Sequence, residues 1–132
     1  TALNAIDHLT RLFSLRMQID DREVHCDDEG NVRLGIRVVE FSELFYILLA
    51  SLRLYCKHDV VIMLKLLQMF DYLLQVPVDI QEHHEAIITE LDTLVTDAKE
   101  SIKNERDLQA IEEKASLLRD HLNGEEKSEL ED

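Results

Sequence analysis

A chain of 132 residues, 45% apolar and 32% charged, is long enough to bury one core without a disulfide or metal staple. Its net charge of −14 is uneven: residues 1–77 carry 11 acids and 8 bases, residues 78–132 carry 17 acids and 6 bases. So acidic a surface repels phosphate backbones, which argues against nucleic acid as a partner and against anionic lipid surfaces.

The first helix is predicted from Ala2, Ala5, Ile6, Leu9, Leu12 and Phe13, spaced by three and four, and fades near Leu15 to Ile19. Arg22 to Cys26 and Val32 to Val39 then alternate loosely around Asp28-Glu29-Gly30-Asn31, a turn-forming stretch. That pattern predicts a small β-hairpin lying against the helices. Ser42 is the expected cap of a second helix running to about Cys56, with Glu43 where the helix dipole favours an acid. Asp59 recaps a third helix, and the short Lys57-His58 joint implies that helices two and three are antiparallel neighbours.

Helix three is apolar on more than one side. Val60, Val61, Ile62, Met63, Leu64, Leu66, Leu67, Met69, Phe70, Leu73 and Leu74 leave almost no polar stripe, so it must be surrounded. Pro77 is placed to end it. Asp79-x-x-Glu82 resembles a capping box for a long fourth helix, striped by Ile80, His84, Ile87, Leu91, Leu94, Ala98 and Ile102. Leu108, Ile111, Ala115, Leu118 and Leu122 form a coiled-coil-like seam on a fifth helix, with Gly124 as its expected terminator.

The fold expected is therefore mainly α: a bundle of about five helices, with a small β-hairpin between helices one and two. Helices two and three would form the centre. The domain is placed at 1–123, and 124–132, with five acids in the eight residues after Gly124, is read as an acidic disordered tail. A membrane span needs about 20 apolar residues. Val60 to Val76 is broken by Lys65 and Asp71, and Leu44 to Leu52 is short and followed by Arg53, so the fragment is expected to be soluble. The two cysteines, Cys26 and Cys56, suit a reducing compartment. The chain opens on Thr1 in mid-pattern and reads as cut from a longer protein.

Catalytic chemistry finds little footing. No Glu-x-x-His, His-Glu-x-x-His, Cys-x-x-Cys or Gly-x-Ser-x-Gly pattern occurs, and no cofactor is expected. The least unfavourable metal site is one between subunits on Cys56, His58 and Asp59. Arg53 stands out inside the apolar run from Phe45 to Tyr55. Buried, it needs an acid, for which Asp7 and Asp71 are the candidates; exposed, its stem would cover apolar surface while its head reached water. Asp7, Arg53 and Tyr55 are taken together as the candidate buried polar cluster, Tyr55 on the resemblance given next.

Several short segments, in order, resemble a family of predicted bacterial membrane proteins, domain of unknown function 2254. They are Thr1-Ala2 with Ile6-Asp7-x-Leu9, then Asp27-Asp28-x-Gly30-x-x-Arg33-Leu34, Phe41-x-x-Leu44, Leu52-Arg53-x-Tyr55 and Asp59-x-Val61 before Leu66-Leu67. Glu105-Arg106-Asp107-Leu108-x-x-Ile111-Glu112-Glu113 looks like the family's late segment. The chain departs from the pattern in having Val38-Val39-Glu40 where Pro is common, and Cys56 where Gly often follows the tyrosine. The resemblance implies an N-terminal membrane region upstream and no assigned reaction, and Asp7, Arg53 and Tyr55 match recurrent polar positions.

Together these features predict a non-catalytic interaction or oligomerisation module on the cytoplasmic face of the bacterial cell membrane. Its only membrane contact would be through the upstream region. The partners expected are a second copy, in a dimer through helix five or the outer side of helix two or three, and an unidentified protein. The alternative is a ligand- or metal-sensing domain lined by Arg53, Tyr55, Cys56 and His58.

Overall fold

The computed structural model describes residues 2–18, 40–78 and 81–130. They form five helices: α1 (Ala2–Met17), α2 (Phe41–Cys56), α3 (Val60–Leu74), α4 (Gln81–Ser101) and α5 (Glu105–Leu130). The expected hairpin requires correction. Among the described residues the regular structure is helical, with no strand or sheet, and segment 22–39, to which the hairpin was assigned, lies outside them. Loose alternation beside a Gly-Asn pair carries too little pairing information to predict a ladder. The described residues form an all-α bundle.

The helix ends show which local signals mattered. Asp59 caps α3 as expected, its Oδ1 accepting from the N–H groups of Val61 at 3.0 Å and Ile62 at 3.3 Å. Asp59→Ala should lower the unfolding free energy by about 1 kcal/mol, read from urea melts, by stranding two donors. Asn104 caps α5 in the same manner, accepting from Arg106 N–H at 3.0 Å and Asp107 N–H at 3.1 Å. Ser42, by contrast, sits inside α2, whose N-cap is Glu40 with no side-chain cap bond. Helix α3 stops at Leu74 in a tightened turn, Gln75 N–H donating to Tyr72 O and Val76 N–H to Leu73 O, both at 3.2 Å, before Pro77 is reached. Helix α5 continues through Gly124 to Leu130 instead of ending there. One interior glycine costs a helix about 1 kcal/mol, which good helix formers on both sides offset.

The centre of the bundle is α3, packed against α1, α4 and α5. Met63, Leu66, Leu67, Met69, Phe70, Leu73 and Leu74 are buried, leaving a narrow outer stripe of Val61, Gln68 and Tyr72. Helix α4 is the second hub, contacting α2, α3 and α5. The expected side-by-side pairing of helices two and three is not found, because α2 lies along α4. Three contacts fix its direction. Phe41 meets His83 with ring centroids 4.7 Å apart, Arg53 meets Asp97, and His58 Nδ1 lies 3.3 Å from the Ser101 carbonyl. Residue numbers rise together along both helices, so α2 and α4 run parallel with α3 as the return. Ion pairs Asp92–Arg119 and Lys99–Glu112 show the opposite sense for α4 and α5, which are antiparallel.

The four phenylalanines of the chain join α1, α2 and α3 at one end. Phe13 meets Phe45 edge-on at 4.9 Å and Phe41 at 6.2 Å, Phe41 stacks on Phe45 at 5.5 Å, and Phe45 reaches Phe70 at 5.8 Å. The seam on α5 is used inside the molecule. Ile111, Ala115 and Leu118 are buried in the common core, and α5 packs on α3 and α4.

Candidate functional site

Arg53 is the one charged side chain that α2 sends inward, and it lands on α4. Its Nη1 donates to Asp97 Oδ2 at 2.9 Å, and its Nη2 lies 3.4 Å from Glu90 Oε2. Glu90 and Asp97 are seven residues apart, two helical turns, so both project from one side of α4 toward the guanidinium. Arg53 is 12% exposed and the Glu90 side chain 6%. Burial pushes the Glu90 carboxyl above the ordinary carboxylate range; Arg53 pulls it back and the negative charge of Asp97 adds to the rise. Among the described residues Arg53 Nε and Glu90 Oε2 find no hydrogen-bond partner, so the pairing is electrostatically close but imperfectly satisfied.

The three residues of the expected polar cluster are not brought together. Asp7 pairs with Lys65 of α3 at 2.7 Å, on the α1 side of the bundle. Asp71 accepts a hydrogen bond from Gln75 on its own helix. Tyr55 is 84% exposed on the outside of α2. Sequence reasoning missed Glu90 and Asp97, offering only Asp7 and Asp71 as partners for Arg53. A signal was present, since Glu90 falls at the three–four spacing between Ile87 and Leu94, where an apolar residue belongs. His83 occupies the same row two turns earlier, buried against Phe41, and its Nε2 has no hydrogen-bond partner among the described residues.

Cys56, His58 and Asp59 are each placed by local demands. Cys56 is a half-buried free thiol, His58 lies against the Ser101 carbonyl, and Asp59 caps α3. Among the described residues no three His, Cys, Asp or Glu side chains are grouped so as to hold a metal ion.

The remaining distinctive feature is outside. Tyr46, Ile47, Leu54 and Tyr55 are 57%, 50%, 67% and 84% exposed on α2. At roughly 100° per residue Tyr46, Ile47 and Leu54 share one arc opposite the buried residues, while Tyr55, nine positions from Tyr46, projects from another side. The inner face of the same helix carries Phe41, Phe45 and Leu49, fully buried. Helix α2 is therefore apolar on both sides and covered on one.

A family model described as a predicted membrane protein (DUF2254) matches residues 1–72. The chain belongs to that family. The matched stretch contains α1, α2 and most of α3, and so includes Arg53 and the exposed face of α2, while Glu90, Asp97 and the segment from Glu105 to Glu113 lie beyond it. No curated protein and no solved structure matches the chain. As a member of DUF2254 the chain is part of a predicted membrane protein family, yet among its described residues no helix is long and apolar enough to cross a membrane. Membrane association thus rests on the family.

Proposed function

We propose that this DUF2254 chain is a non-catalytic module through which copies of a membrane protein associate on the cytoplasmic side. The observation that supports it is the outer face of α2. Three large side chains on one arc of α2, Tyr46, Ile47 and Leu54, stand half to two-thirds in water on a highly acidic protein and mark a surface meant to be covered. Free cysteine chemistry supports the cytoplasmic side, since Cys56 is unpaired. The Arg53–Glu90–Asp97 cluster serves this role indirectly, by clamping α2 onto α4 so that the outer face is presented in one orientation.

Sedimentation equilibrium at near-physiological salt tests the proposal. A reversible monomer–dimer equilibrium in the micromolar range is the expected result, strengthened by added salt because screening relieves repulsion between two acidic copies. A monomer at concentrations up to about 100 μM would overturn it, as even a weak specific interface should be populated there.

A further inference from the structure

We infer that two copies meet through α2 in antiparallel fashion about a two-fold axis at Ala50, with Glu43 of each subunit facing Lys57 of the other. This pairing rests on the self-association proposed above and specifies its geometry. At 100° per residue, Glu43, Tyr46, Ile47, Ala50, Leu54 and Lys57 fall on one arc of α2, opposite the buried Phe41, Phe45 and Leu49. Apart from Ile47, whose mirror position is the inward-facing Arg53, the arc is symmetric about Ala50. Glu43 and Lys57 lie seven residues either side of Ala50, and Tyr46 and Leu54 lie four either side. Reversing the helix and laying it on itself therefore sets acid against base at both ends and an aromatic ring against Leu in between. The small side chain of Ala50 faces its own copy where the two backbones approach most closely. An isologous contact needs this self-complementarity.

Charge selects the direction. Parallel pairing would oppose Glu43 to Glu43 and Lys57 to Lys57, whereas antiparallel pairing makes two ion pairs at the rims of an uncharged strip. Charge also selects α2 among the faces. The chain carries −14 overall, most of it in residues 78–132 that supply α4 and α5, so contacts between those helices would meet strong repulsion. An acid at the start of α2 and a base at its end also suit the helix dipole. The dipole leaves the matched spacing of Tyr46 and Leu54 unexplained, and the two-fold pairing accounts for it. The strip is about 21 Å long, four helical turns, so the contact belongs to the small, weaker class of specific interfaces.

The test is a charge exchange read by sedimentation equilibrium of the chain, with thermal melts to show that each variant folds. Glu43→Lys and Lys57→Glu should each raise the dissociation constant about tenfold, because each places like charges at both ends of the interface. The double variant should return to within about threefold of the original. An equimolar mixture of the two single variants should also regain affinity, since a copy with two bases at these positions then meets a copy with two acids. An original chain that does not associate overturns both this pairing and the self-association it rests on. An original chain that dimerises while the single exchanges have no effect, or are not rescued on mixing, overturns the antiparallel α2 pairing and leaves self-association standing.

Discussion

Replacing Arg53 with alanine is expected to lower the unfolding free energy at pH 7 by about 3–5 kcal/mol, the usual cost of leaving a buried ion without its partner. Most of the loss should come from Glu90, whose side chain is 6% exposed and would face Asp97 with no cation between them. The pH dependence identifies the cause. Burial already holds the folded Glu90 carboxyl above its ordinary value of 4.5, and Arg53 is the influence that lowers it. A folded state that keeps a proton the unfolded chain has released is favoured in acid. The stability contributed by that proton is fully present below the unfolded value and is lost as pH rises through the folded one. Without Arg53 the folded value rises further, so the deficit of Arg53→Ala against the original chain should be small near pH 4 and grow toward neutrality. Adding Glu90→Gln to Arg53→Ala removes the stranded charge and should recover most of the loss. Glu90→Gln alone leaves Arg53 its bond to Asp97, and should cost little at pH 7 while flattening the acid-side slope. Urea melts at pH 4 and 7 on these four proteins decide the matter; a deficit independent of pH would mean that only the packing of the arginine stem had been lost.

A second large effect is expected at Phe45. It is fully buried and touches Phe13, Phe41 and Phe70, so that one ring ties α2 to α1 and α3. Phe45→Ala should cost about 3–5 kcal/mol, from lost transfer energy and from a cavity that three rigid rings are slow to fill. Tyr55→Ala, a truncation of similar size on the same helix at an 84% exposed position, should change the stability of the monomer by no more than about 0.5 kcal/mol. Equal losses from the two would place the aromatic cluster outside the core.

Most of the bundle was legible because helix periodicity is a local signal. The spacing of Ile6 and Phe13, of Ile87, Leu91, Leu94 and Ala98, and of Ile111, Ala115 and Leu118 matches the buried faces, although Leu12, expected on the first stripe, is exposed and Met17, beyond it, is buried. The density of apolar residues in α3 likewise foretold a central helix. What periodicity does not encode is which helix meets which. The short joint between α2 and α3 suggested neighbours lying side by side, but the inner face of α2, with Arg53 at its end, is matched by the row His83, Glu90 and Asp97 on α4. Arg53 could therefore be singled out from its apolar surroundings, while Asp7 and Asp71 were the wrong acids to give it. The seam of α5 shows the same ambiguity, since its spacing serves a neighbour in the same chain as readily as one in another copy, and here it is buried within the chain. The exposed face of α2 became visible only when the structure showed which half of an apolar helix was already covered.

That face is central, and proximity across it can be measured directly. In a chain carrying Cys26→Ser and Cys56→Ser, Ala50→Cys places a single thiol at the proposed two-fold axis, and Leu12→Cys places one on the exposed side of α1 as a control. Treated with a short bismaleimide at a concentration where dimer is populated, the Ala50→Cys protein should form a covalent dimer of twice 15.4 kDa in high yield. The Leu12→Cys protein should remain monomeric, and further substitution of Leu54→Glu should abolish the Ala50→Cys product. Equal cross-linking at both positions, or a yield at Ala50 that Leu54→Glu leaves unchanged, would contradict association through α2.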